Sequence, residues 1–307
     1  MQILAKKLAQ LTGHRASVFA VESGSLPHTI LSGAGDGWIV EWSLDDPENG
    51  KLIAKVDTNI FSLKYLSSAG TLVAGDMHGG VHWVKPGHPE ATKDIAHHKN
   101  GVYAILELGD FIFTLGGGGI LTRWSIKEER SLESLELSQK SLRSISWSSS
   151  RNELAIGASD EHIYILDATS LEIKQTLFNA HGNSVFSVQY SADENYLFSG
   201  GRDAHFRVWN CKNDYAPVFS ESAHWYTINA IAFDPRGHYF ATASRDKTIR
   251  IWDSKDFSLK KSLDLKKYGG HINSVNDLHW SPYRNELISA SDDRSLIIWE
   301  ITLNKTN

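Results

Sequence analysis

Residues 223–253 read AHWYTINAIAFDPRGHYFATASRDKTIRIWD, and two further stretches follow the same plan: AHGNSVFSVQYSADENYLFSGGRDAHFRVWN at 180–210 and GHINSVNDLHWSPYRNELISASDDRSLIIWE at 270–300. Each opens on a Gly/Ala-His pair and an alternating apolar segment such as Ile228, Ala230 and Ala232. A turn follows (DPRG at 234–237), then a second strand, a tight turn bearing Asp, and a third strand ending on Trp. His and Trp stand 28 residues apart in all three, with Asp six before Trp. Short period-2 strands separated by turn residues at this spacing describe an antiparallel meander. Outward from these copies, Trp recurs at 42, 83, 124, 209, 252 and 299, and Leu166 fills the one gap. The steps of 41, 41, 42, 43, 43 and 47 residues amount to one unit of about 44 repeated seven times.

The joint recurrence of His, Asp and Trp resembles the WD-repeat family, and the resemblance covers essentially the whole chain. It implies an all-β fold: a single seven-bladed β-propeller of four-stranded antiparallel blades spanning 1–307. The repeats fall at approximately 11–52, 53–94, 95–136, 137–177, 178–220, 221–267 and 268–303. Only eight residues follow Trp299, too few for another outer strand, whereas QILAKKLAQ at 2–10 looks like the outer-strand segment LEIKQTLFN at 171–179. Strand 2–10 is therefore expected to complete the last blade, so that the two termini pair and no open edge remains. The long connection 253–270, with KKSLDLKK at 260–267, reads as a solvated outer strand.

The resemblance also assigns structural roles. His14, Asp36 and Trp42; His181, Asp203 and Trp209; His224, Asp246 and Trp252; and His271, Asp293 and Trp299 would each form a buried hydrogen-bonded set with a Ser or Thr. An unpaired buried polar group costs about 1–3 kcal/mol, which is why the members must recur together. In the sixth repeat the hydroxyl is either Ser244 or Thr242. The other three repeats are degraded and should rely more on apolar packing. The second lacks the His and offers GDMHGG at 75–80 before Trp83. The third keeps His98 and Trp124 but has GGGG at 116–119, and the fourth has Asp160 without a matching His.

A net charge of −5 provides no global field for nucleic acid or an anionic membrane. Cys211 is the single cysteine, so no disulfide forms within the chain, and no apolar run reaches signal-peptide or membrane-span length. A cytoplasmic protein is expected, monomeric by itself or a subunit of a complex. Of the 14 histidines, His14, His98, His181, His224 and His271 occupy the repeat position, one per blade and too far apart to share a metal. His97-His98 and His78 with His82 are the close groupings left, and neither has metal-ligand company; no metal or cofactor is expected. There is no G-x-S-x-G elbow and no phosphate loop, since GGGG at 116–119 leads into strand-like ILTRW rather than a helix. An Asp that recurs from blade to blade supports the blade, so no catalytic residue is assigned.

Function in such a protein lies at the variable positions. The family resemblance directs attention to the face that carries the loops into the innermost strands and the Asp turns, where two positions per blade contribute. The first, just after the leading apolar residue of the inner strand, holds Phe19, Phe61, Tyr103, Arg143, Phe186, Asn229 and Asn276. The second, just before the Asp, holds Gly35, Ser159, Arg202, Arg245 and Asp292. Trp225 and Tyr226 lie on a loop at the same end. Clustered aromatics and arginines are typical of energetic hot spots, and they suit a protein or an extended peptide with acidic and apolar side chains. A nucleic-acid-binding module, whose bases would stack on the same residues, and a propeller enzyme are the alternatives.

Overall fold

The second strand of each repeat is nearly devoid of charge because both of its faces are covered. Thr29–Ala34, Glu153–Ala158 and Glu286–Ser291 are buried at every residue. In the computed structural model, which describes residues 2–304, the strands pair into seven four-stranded antiparallel sheets. Residue 1 and residues 305–307, the ends of the expected 1–307 unit, lie outside the described residues. The innermost strands are Val18–Ser23, Ile60–Leu66, Val102–Leu108, Leu142–Ser148, Val185–Tyr190, Ile228–Phe233 and Val275–Trp280. Outer strands such as Arg130–Glu136 are mostly exposed.

The core is divided among the interfaces between neighbouring blades. Phe198 and Phe206 of blade 5 pack with Phe240 and Trp252 of blade 6; Ala241 and Ile251 of blade 6 pack with Leu287 and Trp299 of blade 7. Ile288 and Ile298 of blade 7 meet Ile30 and Trp42 of blade 1, so the interfaces run round a closed ring. The ring is sealed by Gln2–Thr12, which pairs antiparallel with Ser295–Asn304 from Gln2–Asn304 to Thr12–Ser295. The last blade thereby gains its outer strand from the N-terminal end of the chain.

Four blades carry one buried relay. In blade 6, Trp252 Nε1 donates to Thr242 Oγ1 at 3.0 Å, Thr242 Oγ1 lies 2.7 Å from His224 Nε2, and His224 Nδ1 lies 2.9 Å from Asp246. The hydroxyl is thus Thr242; Ser244 donates instead to the Tyr226 carbonyl. Ser32, Ser199 and Ser289 hold the same place between Trp42 and His14, Trp209 and His181, and Trp299 and His271. A neutral imidazole protonated on Nδ1 satisfies the three relay partners: the hydroxyl accepts from the indole and donates to Nε2, while Nδ1–H donates to the carboxylate. Burial favours that state, holding His14, His181 and His224 below their usual pKa against the pull of the Asp. Burial opposes ionisation of the aspartates, yet hydrogen bonds from His hold Asp203, Asp246 and Asp293 well below the usual carboxylate range, Asp293 at about 2.

The degraded blades differ from the sequence expectation in instructive ways. In the intact blades Ile30 pairs with Trp42 and Phe240 with Trp252, but Leu72 pairs with Val84 and Val73 with Trp83. Val84, not Trp83, therefore stands at the repeat position. A shift of one residue in a strand sends the side chain to the other face. Trp83 accordingly packs with Trp124 and Ile112 of blade 3, while Val84 packs toward blade 1. Its Nε1 is buried without a hydrogen-bond partner. Blade 2 also has a His after all, on its third strand: His82 Nε2 lies 3.0 Å from Asp76 and its Nδ1 2.6 Å from Asp94.

In blade 4, Tyr164 donates to Asp160 at 2.7 Å, joined by Ser138, which is as far before Asp160 as His224 is before Asp246. Ile156 and Leu166 replace hydroxyl and indole together, so neither is orphaned. In blade 3, His98 and Trp124 share Thr114 without an Asp. Of the four glycines 116–119, only Gly119 adopts a positive φ, +79°.

The segment 260–267 is only partly a strand. The outer strand ends at Leu263, and a short helix, α1 (Leu265–Tyr268), follows. Asp264 caps it by accepting from Lys267 N, and Gly269 ends it at φ +67°. The alternation across KSLDL hides this cap-and-stop signal.

Candidate functional site

The bulge that follows the first residue of every inner strand, for example between Val18 and Ala20, turns the second residue toward the axis. Phe19, Phe61, Tyr103, Arg143, Phe186, Asn229 and Asn276 all line one channel of about 540 Å³. Each is half-buried, neither core nor free surface.

Five of them form an unbroken run. Phe19 meets Phe61 edge-on at 5.1 Å between centroids, and Phe61 stacks on Tyr103 at 5.5 Å. The Arg143 guanidinium then lies 4.2 Å from the Tyr103 ring centre and 5.1 Å from that of Phe186. Arg143 Nε also donates to Ser159 Oγ at 2.9 Å, which fixes the fork between the two rings. Burial, and Arg202 nearby, lower its pKa, while Tyr103 opposes the shift. Room for the rings comes from glycines: a Cβ on Gly35 would meet Phe19 and one on Gly117 would meet Tyr103. Blades 6 and 7 close the circle with amides. Asn229 donates to the Val275 carbonyl at 2.8 Å, and Asn276 donates to the Val18 carbonyl at 2.9 Å and to Asp292 at 2.8 Å.

The second ring is set by one backbone contact per blade, the N–H before the Asp position donating to the loop ahead of the inner strand. It holds Gly35, Ser159, Arg202, Arg245 and Asp292 as read from the sequence, and also Met77 and Gly117. Met77 was hidden because His78, not Asp, occupies the place equivalent to the repeat Asp in blade 2, while Asp76 lies two residues before it. Arg202 and Arg245 are exposed, and Met77 is 37 % exposed. Trp225 and Tyr226 are exposed at 83 % and 60 %, and Asp246 accepts from Trp225 N at 3.1 Å, which anchors their loop at this end.

Deeper in the channel the wall is charged, a feature not read from the sequence. Asp277 stands where the other blades carry Ala20, Ser62, Ala104, Ser144, Ser187 and Ala230. It accepts from Val21 N and Leu278 N at 2.9 Å each. Enclosure in the wall pushes its pKa up to about 7 against those bonds, with Glu22 adding to the rise. Glu22 itself pairs with Lys64 at 3.2 Å. Among the described residues, no group of three or more His, Cys, Asp or Glu gathers to hold a metal, and no helix is long and apolar enough to cross a membrane.

Comparison with known proteins agrees with this geometry. The family model described as "WD domain, G-beta repeat" matches residues 172–210, 216–253 and 263–300. No curated protein matches the chain. Among solved structures, one described as "Crystal structure of WD40 beta propeller domain of Doa1" superposes with a TM-score of 0.85 at 19% sequence identity, covering 98% of each chain. At that identity the likeness is one of fold.

Proposed function

The chain is a WD-repeat β-propeller, and from that premise we propose that it is a non-catalytic platform binding another protein, through an extended peptide, at the channel mouth. The observation that carries this is the continuous Phe19–Phe61–Tyr103–Arg143–Phe186 run beside exposed Arg202, Arg245, Trp225 and Tyr226. Half-buried rings held by their neighbours lose little entropy on binding, and Arg143 and Arg202 together favour a carboxylate or phosphate on the ligand.

The His–Asp–Ser sets have the composition of a hydrolytic triad but not its accessibility. Ser199 is fully buried and its hydroxyl is engaged by both Trp209 and His181, which argues against a nucleophile there. Cys211 is buried, and burial pushes its thiol up to about 12, so it is an inert packing group. A lone thiol that forms no disulfide within the chain suits a reducing compartment such as the cytoplasm.

The exposed residues provide the cleanest test, because truncating them spares the core. Trp225→Ala and Arg202→Ala should weaken capture of the native partner, a hot-spot residue costing about 2 kcal/mol or roughly thirtyfold in affinity. Melting temperatures should stay at the wild-type value. Unaltered capture by both variants and by Arg143→Ala would remove the channel mouth from consideration. Capture of random RNA or DNA with steep salt dependence would instead favour the nucleic-acid alternative.

A further inference from the structure

The connection from blade 6 to blade 7 is the longest of its kind: Trp252 to Trp299 spans 47 residues, where Trp209 to Trp252 spans 43. The added length coincides with the four residues of α1, which buries none of its own side chains. The helix and the loop after His271 wall a groove of about 800 Å³. Leu265 and Ile272 line it and are 52 % and 55 % exposed. Lys247, Lys266 and Lys267 also border it.

The neighbouring carboxylates are already engaged. Asp246 accepts from His224, from Trp225 N and from Thr248. Asp264 accepts from Lys267 N as the helix cap. No carboxylate pairs with any of the three lysines among the described residues, and the Lys267 ammonium lies 5.4 Å from the Tyr268 ring centre. Three lysines against the two engaged carboxylates leave the rim of this exposed aliphatic surface net cationic, on a chain whose net charge is −5.

We infer that this groove docks an acidic segment of a partner protein that carries one aliphatic side chain. The aliphatic group seats on Leu265 and Ile272, and the flanking carboxylates face the lysines. Solvated ion pairs contribute little affinity singly, so the apolar anchor provides the hold while the charges select the sign of the ligand and speed encounter. The site is separate from the channel mouth and stands whether or not that face binds a peptide.

The test is fluorescence anisotropy of the full chain with a short labelled peptide of Asp and Glu around a single Leu. Wild type should bind it. Ile272→Asp and the double variant Lys247→Glu/Lys266→Glu should each weaken binding at least about tenfold. Their melting temperatures should be unchanged, since all three side chains are exposed. Failure of the wild type to bind at millimolar peptide overturns the inference, as does equal binding by the variants or by a Leu→Ser peptide. Loss with Arg143→Ala would move the peptide to the channel mouth. Two further results refute it by naming another occupant: lysine-dependent binding of phosphatidylserine vesicles in place of the peptide, or self-association in sedimentation that Ile272→Asp abolishes.

Discussion

Replacing Thr242 by Val keeps the shape of the side chain and removes only its hydroxyl. Thr242 is fully buried, and its Oγ1 serves two groups: it accepts from Trp252 Nε1 at 3.0 Å and faces His224 Nε2 at 2.7 Å. In the Val variant both nitrogens are left in a dry interface between blades. At about 1–3 kcal/mol for each orphaned group, the loss is roughly 2–6 kcal/mol with no cavity to blame. Thr242→Ser keeps the hydroxyl, loses one methyl group and should cost only about 1 kcal/mol. Serine already occupies this place in blades 1, 5 and 7 as Ser32, Ser199 and Ser289. Thr302→Val, the same chemical change at an exposed position, should stay within about 0.5 kcal/mol of wild type. Urea unfolding followed by tryptophan fluorescence, with the slope compared across the set, measures the differences directly. The reasoning predicts that Val is less stable than Ser. A Val variant as stable as the Ser variant, at equal slope, would show that the relay contributes nothing and that blade 6 is held by packing alone.

Removing residues 1–12 should expose the whole edge of Ser295–Asn304 and produce oligomers or insoluble protein; a monomer by light scattering with an unchanged melting temperature would contradict closure by that pair. Stability should also fall on acidification below neutrality. Burial first, then His97, hold His98 at about 4 in the fold, whereas the unfolded chain takes up its proton near 6.5. The unfolded state therefore binds more protons across that window, so His98's contribution is fully present above about pH 6.5 and is lost as pH falls toward 4, by about 3 kcal/mol in all. His98→Gln, which cannot titrate, should flatten the pH dependence of the urea midpoint between 6.5 and 4.5. An identical slope in wild type and variant would refute the assignment.

The parts of the fold that were legible in the sequence are those in which one short window carries the whole constraint. His, Asp and Trp of blade 6 lie within 223–253, and their hydrogen bonds close within that window. The ring from Phe19 to Asn276 was legible for the same reason: its place is fixed relative to the leading apolar residue of a single strand. The choice of Thr242 over Ser244 was not, because both alternate toward plausible partners and only the pairing of three strands tells them apart. Trp83 misled because a comb of tryptophans does not distinguish neighbouring positions in a strand, although those positions face opposite blades. His78 stands six residues before Val84, the spacing that Asp and Trp keep in the intact repeats, but neither is the residue type that marks the repeat, so the frame left no trace in the sequence.

Asp277 and α1 escaped notice for a different reason, which bears on where specificity resides. Averaging over repeats brings out what every blade needs and suppresses what only one blade has. The relay and the covered second strands recur because each blade must satisfy the same buried groups, so they say nothing about a partner. Met77, Asp277, the Asn229 and Asn276 amides and the inserted α1 break the repeat without any blade requiring it. Their positions are uneven around the ring: the aromatic–arginine run belongs to blades 1 to 5, whereas the amides, Asp277 and the lysine-edged groove belong to blades 6 and 7. On the proposed function, a peptide crossing the mouth would meet an aromatic–cationic side and an amide side, which would give it one preferred orientation. That polarity follows from the departures from the repeat, which are the positions free to differ without unfolding a blade.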